Sequence, residues 1–325
     1  MQAWICDRLD GPEALTWQET TTPEPGRGEV RVAIRAASLN FPDLLIVQGK
    51  YQMKPPLPFV PGAEFAGVVE AVGEGVKHLG VGTHVAGFAG TGGFGTHVVA
   101  PAAVLMPLPP VFSFEDAAAF LCTYGTTYHA LMDRAALKAG ETVLVLGAAG
   151  GVGTAAIQIA KAAGAKVIAA TSSDEKGALC RQLGADATVN YSTQNLRDEL
   201  KALTDGKGPD VVYDPVGGAL TEAAFRSIAW RGRHLVVGFA NGEIPNLPLN
   251  LPLLKGASVM GVFWGEFAKR EPQNNAACLM QLAAWYMEGK IKPVIEHKLP
   301  MSELKAAFRL MGSRQVRGKL VLVNG

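Results

Sequence analysis

An α/β fold in which a parallel, doubly wound domain interrupts a β-rich one is predicted by three features of this 325-residue sequence. The first third is cut into short pieces by prolines and glycines, which excludes long helices there. From about Phe114 the texture changes to alanine-rich segments alternating with apolar runs. Those runs recur at a steady spacing, and a glycine cluster, Gly147-Ala148-Ala149-Gly150-Gly151-Val152-Gly153, follows the first of them.

Residues 28–36 alternate Val30, Val32 and Ile34 with Glu29, Arg31 and Arg35, the period of a half-exposed strand. Further strands are expected at 66–72, 84–88 and 96–99. Phe114 to Leu131 reads as helix on either side of a bend at Tyr124-Gly125. Strand candidates then recur at 143–146, 166–170, 187–191, 211–214, 234–238 and 258–263, with starts 21 to 24 residues apart. Helical patterns lie between the early ones, the rhythm of βα units and hence of a parallel sheet with right-handed crossovers. The connection 239–257 carries Pro245, Pro248 and Pro252 and reads as a loop. A tail of helix 273–287, strand 294–299, helix 304–311 and strand 319–323 returns to the first domain. The expected bounds are 1–121, completed by 262–325, around an inserted domain at 122–261.

A formal net charge of +1, with no run of five like charges, gives no electrostatic reason to expect nucleic acid or an anionic membrane surface. Small molecules are the expected partners. Cys6, Cys122, Cys180 and Cys278 are scattered and form no C-x-x-C pair, and the opening segment has no signal-peptide pattern, so a reducing, cytoplasmic setting is expected. Thr142 to Ala160 has no charge, but the glycines inside it mark a strand, a turn and a buried helix rather than a membrane span.

Strand, glycine turn and helix is how a backbone approaches a pyrophosphate, because the helix N-terminus offers unpaired N–H groups and a positive dipole end. Against G-x-G-x-x-G the match is Ala148, Gly150 and Gly153, with Gly151 and Val152 between the last two. The cluster lacks the lysine of a nucleotide-hydrolase loop. An acid at the end of the following strand would select NAD through the ribose hydroxyl. That strand ends Ala170-Thr171-Ser172-Ser173, and Asp174 and Glu175 read as the start of the next helix. The hydroxyls of Ser172 and Ser173 with the ammonium of Lys176 suit a 2′-phosphate, so NADPH is the expected cofactor.

Several further stretches complete a pattern: Ala37-Ser38-Leu39-Asn40-Phe41-Pro42-Asp43, Pro58-Phe59-Val60-Pro61-Gly62-Ala63-Glu64-Phe65-Ala66-Gly67, Asp214-Pro215-Val216-Gly217-Gly218 and Arg317-Gly318-Lys319. With the glycine cluster, they resemble the zinc-independent quinone oxidoreductases of the medium-chain dehydrogenase/reductase superfamily, relatives of zeta-crystallin, over essentially the whole chain. The resemblance implies a Rossmann domain inserted in a GroES-like catalytic domain, with NADPH in the cleft. It also implies a homodimer in which the last Rossmann strand, near Ser258 to Phe263, pairs with its twin. Around the nicotinamide and acceptor it implies Asn40, Asp43 and Tyr51; on the cofactor it adds Tyr191, Phe239, Phe263 and Lys319. A second pocket tyrosine of the family is Leu45 here, which makes the pocket more apolar. Alcohol dehydrogenases of the superfamily hold zinc at positions that correspond here to Asn40, Ala63 and Cys122. One thiol cannot make a three-ligand site, so no metal is expected.

Hydride transfer to a quinone needs no Lewis acid, and the reduced product takes its protons from solvent. The expected activity is therefore a metal-independent NADPH:quinone reductase. A second reading is a reductase of enones or enoyl thioesters, with Tyr51 as the obvious acid. A third is a non-enzymatic NADPH-binding structural or RNA-associated protein, to which the near-neutral charge lends little support. No histidine sits in a nucleophile or metal motif.

Overall fold

The alternation of Val30, Val32 and Ile34 builds the strand Glu29–Ser38, with all three apolar side chains buried. It is the hub of a seven-stranded sheet in the computed structural model, which describes residues 1–325. The order is Ile295–Pro300, Lys319–Val323, Glu29–Ser38, Glu64–Val72, His84–Phe88 and Leu105–Pro107, with His97–Pro101 also pairing with Glu29–Ser38. Glu64–Val72 begins two residues earlier than its apolar run suggests. Its register sets Glu64 opposite Ser38, which in turn lies opposite Val321. This unit comprises Met1–Cys122 with Ile295–Gly325, and its core includes Trp4, Phe65, Phe94, Phe308 and Leu322.

The second unit is Thr123–Val294. All six expected strands form, as Thr142–Leu146, Lys166–Thr171, Ala187–Asn190, Val211–Asp214, Arg233–Val236 and Ser258–Gly261. They pair in parallel in the order third, second, first, fourth, fifth, sixth. This is the doubly wound dinucleotide-binding arrangement, and the glycine cluster lies at its first βα turn. Val143, Leu144, Val145 and Leu146 are fully buried because crossover helices cover both faces of such a sheet.

Four expectations change. The helical stretch after Phe114 breaks at Ala119-Phe120, where Phe120 packs edge-on against Phe112, rather than at Gly125. Gly125 stays inside Leu121–Tyr128, where its missing side chain leaves room for the ring of Trp264; a wider π-type turn, His129–Arg134, follows. The connection 239–257 contains a short helix, Asn250–Lys255, with Pro252 in the first turn, where its missing N–H breaks no helical bond. A helix at Trp264–Arg270 was not expected. The chain returns to the first unit at Ile295 rather than 262. The helix Pro272–Met287 stays with the second unit: Trp285 packs on Tyr128, and Gln158 exchanges two hydrogen bonds with the main chain of Lys292 (2.6 and 3.0 Å).

Candidate active site

Asn40 ends the hub strand's extension and caps the helix Phe41–Val47, and its amide is gripped from both sides. Nδ2 donates to Glu64 Oε2 (2.9 Å), while Oδ1 accepts from Lys319 Nζ (2.6 Å). The Lys319 ammonium also donates to the carbonyl of Leu39 (3.0 Å) and stands 3.8 Å from Glu64 Oε2. Glu64 completes its shell with Ser38 Oγ (2.7 Å) and the Cys122 main-chain N–H (2.8 Å). Glu64 is 0% exposed, Lys319 5% and Asn40 6%, so two opposite charges and an amide share a site with almost no water. The chain tolerates buried charges there because each is paired and hydrogen-bonded.

Asp43, three residues on, has both carboxylate oxygens on main-chain donors, Asn40 N–H (2.8 Å) and Ala63 N–H (3.0 Å). Burial pushes its pKa up to about 7, against the pull of those two donors and of Lys319, with Glu64 adding to the rise. Tyr51 lies half-buried in the same neighbourhood, and burial, with Cys122 and Asp43 nearby, raises its phenol. Leu45 is half-buried on the helix that Asn40 starts. Burial, chiefly, and the Glu64 charge push the Cys122 thiol far up, so it stays protonated and unreactive. The acidic group nearest a metal-ligand position, Glu64, is committed to Ser38, Asn40 and Cys122, and no group of three His, Cys, Asp or Glu side chains is arranged to hold a metal ion.

In the second unit, Gly147 turns the chain at φ +57°, and the helix Gly151–Ala162 begins with Gly150 as its cap. No side chain caps this helix, so its first-turn N–H groups face outward as anion donors. A side-chain carbon at Gly153 would lie 2.5 Å from the Gly147 carbonyl oxygen and 2.7 Å from Ala148 Cα. Glycine there lets the helix press onto the turn, the packing that a pyrophosphate cradle requires. Ala148 is fully buried below it.

Ser173 caps the helix Asp174–Gln182 through its hydroxyl, and Lys176 Nζ donates to Ser172 Oγ (3.3 Å). Tyr191 directly follows the strand Ala187–Asn190, whose last residue, Asn190, donates to Asp174 Oδ1 (3.0 Å). The first carboxylate past the second strand is thus tied down at the mouth of a cavity of about 340 Å³ lined by Ser173, Asp174, Arg181 and Asn190. Ser172, Ser173 and Lys176 stand together, with Tyr191 next to Ser192, whose hydroxyl donates to the Ser172 carbonyl (2.9 Å). These features fit a nucleotide that carries a phosphate on its adenosine ribose.

Phe239 packs beside Gly217, and Phe263 is 54% exposed at the start of the Trp264–Arg270 helix. Lys319, expected on the cofactor, has its ammonium on Leu39 and Asn40 within the first unit. Sequence reasoning missed the parts played by Glu64 and Ser38, and also a buried pair in the second unit. There Asp214 accepts from the main-chain N–H groups of Val216 and Gly217, from Thr221 Oγ1 (2.6 Å) and from His234 Nε2 (3.1 Å). Burial works against ionisation of Asp214, but His234, Gly217 and Thr221 hold its pKa below the ordinary value. Its position at the end of the fourth strand, just before two glycines, was the signal available.

Comparison with known proteins gives the same architecture. Residues 26–110 match the family described as Alcohol dehydrogenase GroES-like domain, and 151–285 match Zinc-binding dehydrogenase. The chain is 39% identical to the quinone oxidoreductase-like protein 2 homolog of Nematostella vectensis over 99% of its own length and 88% of the relative's. The crystal structure of Escherichia coli quinone oxidoreductase complexed with NADPH superposes with a TM-score of 0.93 at 30% identity, covering 100% of both chains. The quinone oxidoreductase of Thermus thermophilus, also described in complex with NADPH, gives 0.87 at 35% identity, again over 100% of both.

Proposed function

Because the chain belongs to the quinone oxidoreductase-like family of the medium-chain dehydrogenase/reductase superfamily and is an oxidoreductase, we propose that it reduces a quinone with NADPH and without a metal. The observation that carries the choice of cofactor is the grouping of Ser172, Ser173 and Lys176, with Asp174 drawn off by Asn190. A carboxylate left open there would repel a 2′-phosphate.

Bound NADPH supplies the hydride; the chain's residues bind, orient and exclude water. The uncapped helix at Gly151, Val152 and Gly153 receives the pyrophosphate, with Ala148 and Gly150 shaping the turn. Lys176, Ser172, Ser173 and Tyr191 take the adenosine phosphate, and Phe239 and Phe263 line the dinucleotide's path. Asn40 and Tyr51 face the nicotinamide and acceptor. Asp43, with both oxygens on main-chain donors, positions Asn40 and Ala63. Glu64 is occupied by three donors and one thiol stands alone, so nothing in this set would polarise a carbonyl as a metal does. A quinone is already an electrophile and needs no such help. An apolar Leu45 suits its flat ring.

The proposal extends to assembly. Ser258–Gly261 is the outer strand of its sheet, and Val259 on it is 48% exposed, with Leu253 at 78% and Leu254 at 68% in the helix just before it. An uncovered apolar sheet edge invites strand pairing. We assign it to a homodimer. A steady-state screen of NADPH oxidation over 1,4-benzoquinones, small enones and enoyl thioesters tests the activity. Turnover that favours quinones is expected, and a strong preference for thioesters would overturn it.

A further inference from the structure

We propose that Glu64 and Lys319 are positioning residues that lock the Asn40 amide in one orientation and leave one of its Nδ2 hydrogens as a donor to the oxygen that gains charge when hydride arrives. The inference rests on the reading above that Asn40 faces the acceptor.

A carboxamide has two orientations that differ by exchange of oxygen and nitrogen, and only its partners choose between them. At Asn40 the choice is forced. Lys319 carries donors alone and stands 2.6 Å from Oδ1; the Glu64 carboxylate only accepts and stands 2.9 Å from Nδ2. Turning the amide over would set N–H against ammonium and oxygen against carboxylate, in a site where Glu64 is 0% and Lys319 5% exposed. Both partners are themselves fixed: Lys319 by the Leu39 carbonyl, Glu64 by Ser38 Oγ and the Cys122 N–H. The pair also polarises the amide, since a cation at the oxygen draws electron density from nitrogen and makes both N–H groups better donors. Glu64 uses one of them, and the other has no acceptor among the protein's own groups. Hydride delivered to a quinone carbon leaves negative charge on a carbonyl oxygen, and an oriented N–H in a dry site is suited to receive it.

The test is a double-mutant cycle on the full-length enzyme, with NADPH and a 1,4-benzoquinone. Asn40→Ala and Glu64→Gln are each expected to lower kcat by about 100- to 1,000-fold, the range for one preorganised donor to developing charge, with KM for NADPH within about twofold. The glutamine amide can put an N–H where the carboxylate put an oxygen, so the Asn40 amide is no longer held from both sides. The double variant should be no slower than Asn40→Ala alone. Losses that multiply in the double variant would overturn the proposal. Should Glu64→Gln fold poorly because Lys319 is left unpaired, Glu64→Gln combined with Lys319→Met removes both charges together. The same kcat loss at an unchanged melting temperature is expected of that pair, and wild-type kcat in the folded pair would overturn the idea. The side-chain amide resonances of Asn40, read by selective ¹⁵N labelling, need no acceptor. They should shift in both Glu64→Gln and Lys319→Met, and unmoved resonances refute the network's role. If none of the quinones supports NADPH oxidation by wild type while those resonances shift, the choice of acceptor fails and the positioning network stands.

Discussion

Asp43 illustrates how a single buried carboxyl ties stability to pH. Its pKa in the folded chain is pushed up to about 7, mainly by burial, from an ordinary 3.8. An acid harder to ionise when folded adds stability that is fully present below pH 3.8 and is lost as pH rises through about 7. Asp43→Asn removes that dependence, and with it one acceptor for the two main-chain donors, at a pH-independent loss of about 1 kcal/mol. Urea unfolding from pH 4 to 8 should therefore show wild type losing stability relative to the variant as pH rises; a constant gap would contradict the assignment. At the other end of the proposed cofactor, Lys176→Glu places a negative charge beside Ser172 and Ser173. It should lower kcat/KM for NADPH at least tenfold while leaving NADH within about twofold, and an unchanged NADPH/NADH ratio would remove Lys176 from the site. Asn40, Asp43 and Lys176 were legible in the sequence only as parts of longer motifs. Glu64 was legible as a residue without a metal to serve, but its bond to Asn40 was not, because the register that aligns Ser38 with Glu64 is a property of the assembled sheet.

At the level of elements, apolar runs of four to six residues named all six parallel strands; for the central ones, a strand covered on both faces leaves little freedom in its composition. Helix breaks were harder to read. Ala119-Phe120 has no breaker residue, and the interruption there goes with the packing of Phe120 on Phe112, a tertiary contact. Trp264–Arg270 is too short for a helical period to stand out, with Trp264 and Phe267 its only buried residues. The glycine turn, by contrast, makes a sharp prediction. Gly153→Ala drives a carbon to 2.5 Å from a main-chain oxygen, whereas at Gly150 the same carbon would meet that oxygen at 3.4 Å. Gly153→Ala should destabilise the protein by about 1–3 kcal/mol and weaken NADPH binding at least tenfold. Gly150→Ala should keep the wild-type melting temperature. Equal melting temperatures for the two variants would show that the close packing at Gly153 does not matter.

For the whole molecule, the exposed edge strand sets the expected assembly. Wild type should elute at twice the 34.2 kDa chain mass, and Val259→Lys, which puts a charge on the unpaired edge, should elute at the chain mass with quinone-independent NADPH binding retained. A wild-type monomer would refute the pairing. The interrupted first unit was visible in the sequence as a β-rich start and a strand at 319–323, while the crossing point at Ile295 depended on packing of the Pro272–Met287 helix that no local pattern encodes. That interruption has a consequence in time. Lys319 is 279 residues downstream of the Asn40 amide it fixes. At roughly 5–20 residues per second, synthesis separates the two by about 15 to 55 seconds. Throughout that interval Glu64 has no cation to face, so the hub of the first sheet cannot close over it without a lone buried charge. The inserted domain, complete by Val294, is free to fold before the last strand exists. A ribosome that stalls a few residues short of Lys319 therefore leaves a chain with its nucleotide fold finished and its Asn40 cluster unmade.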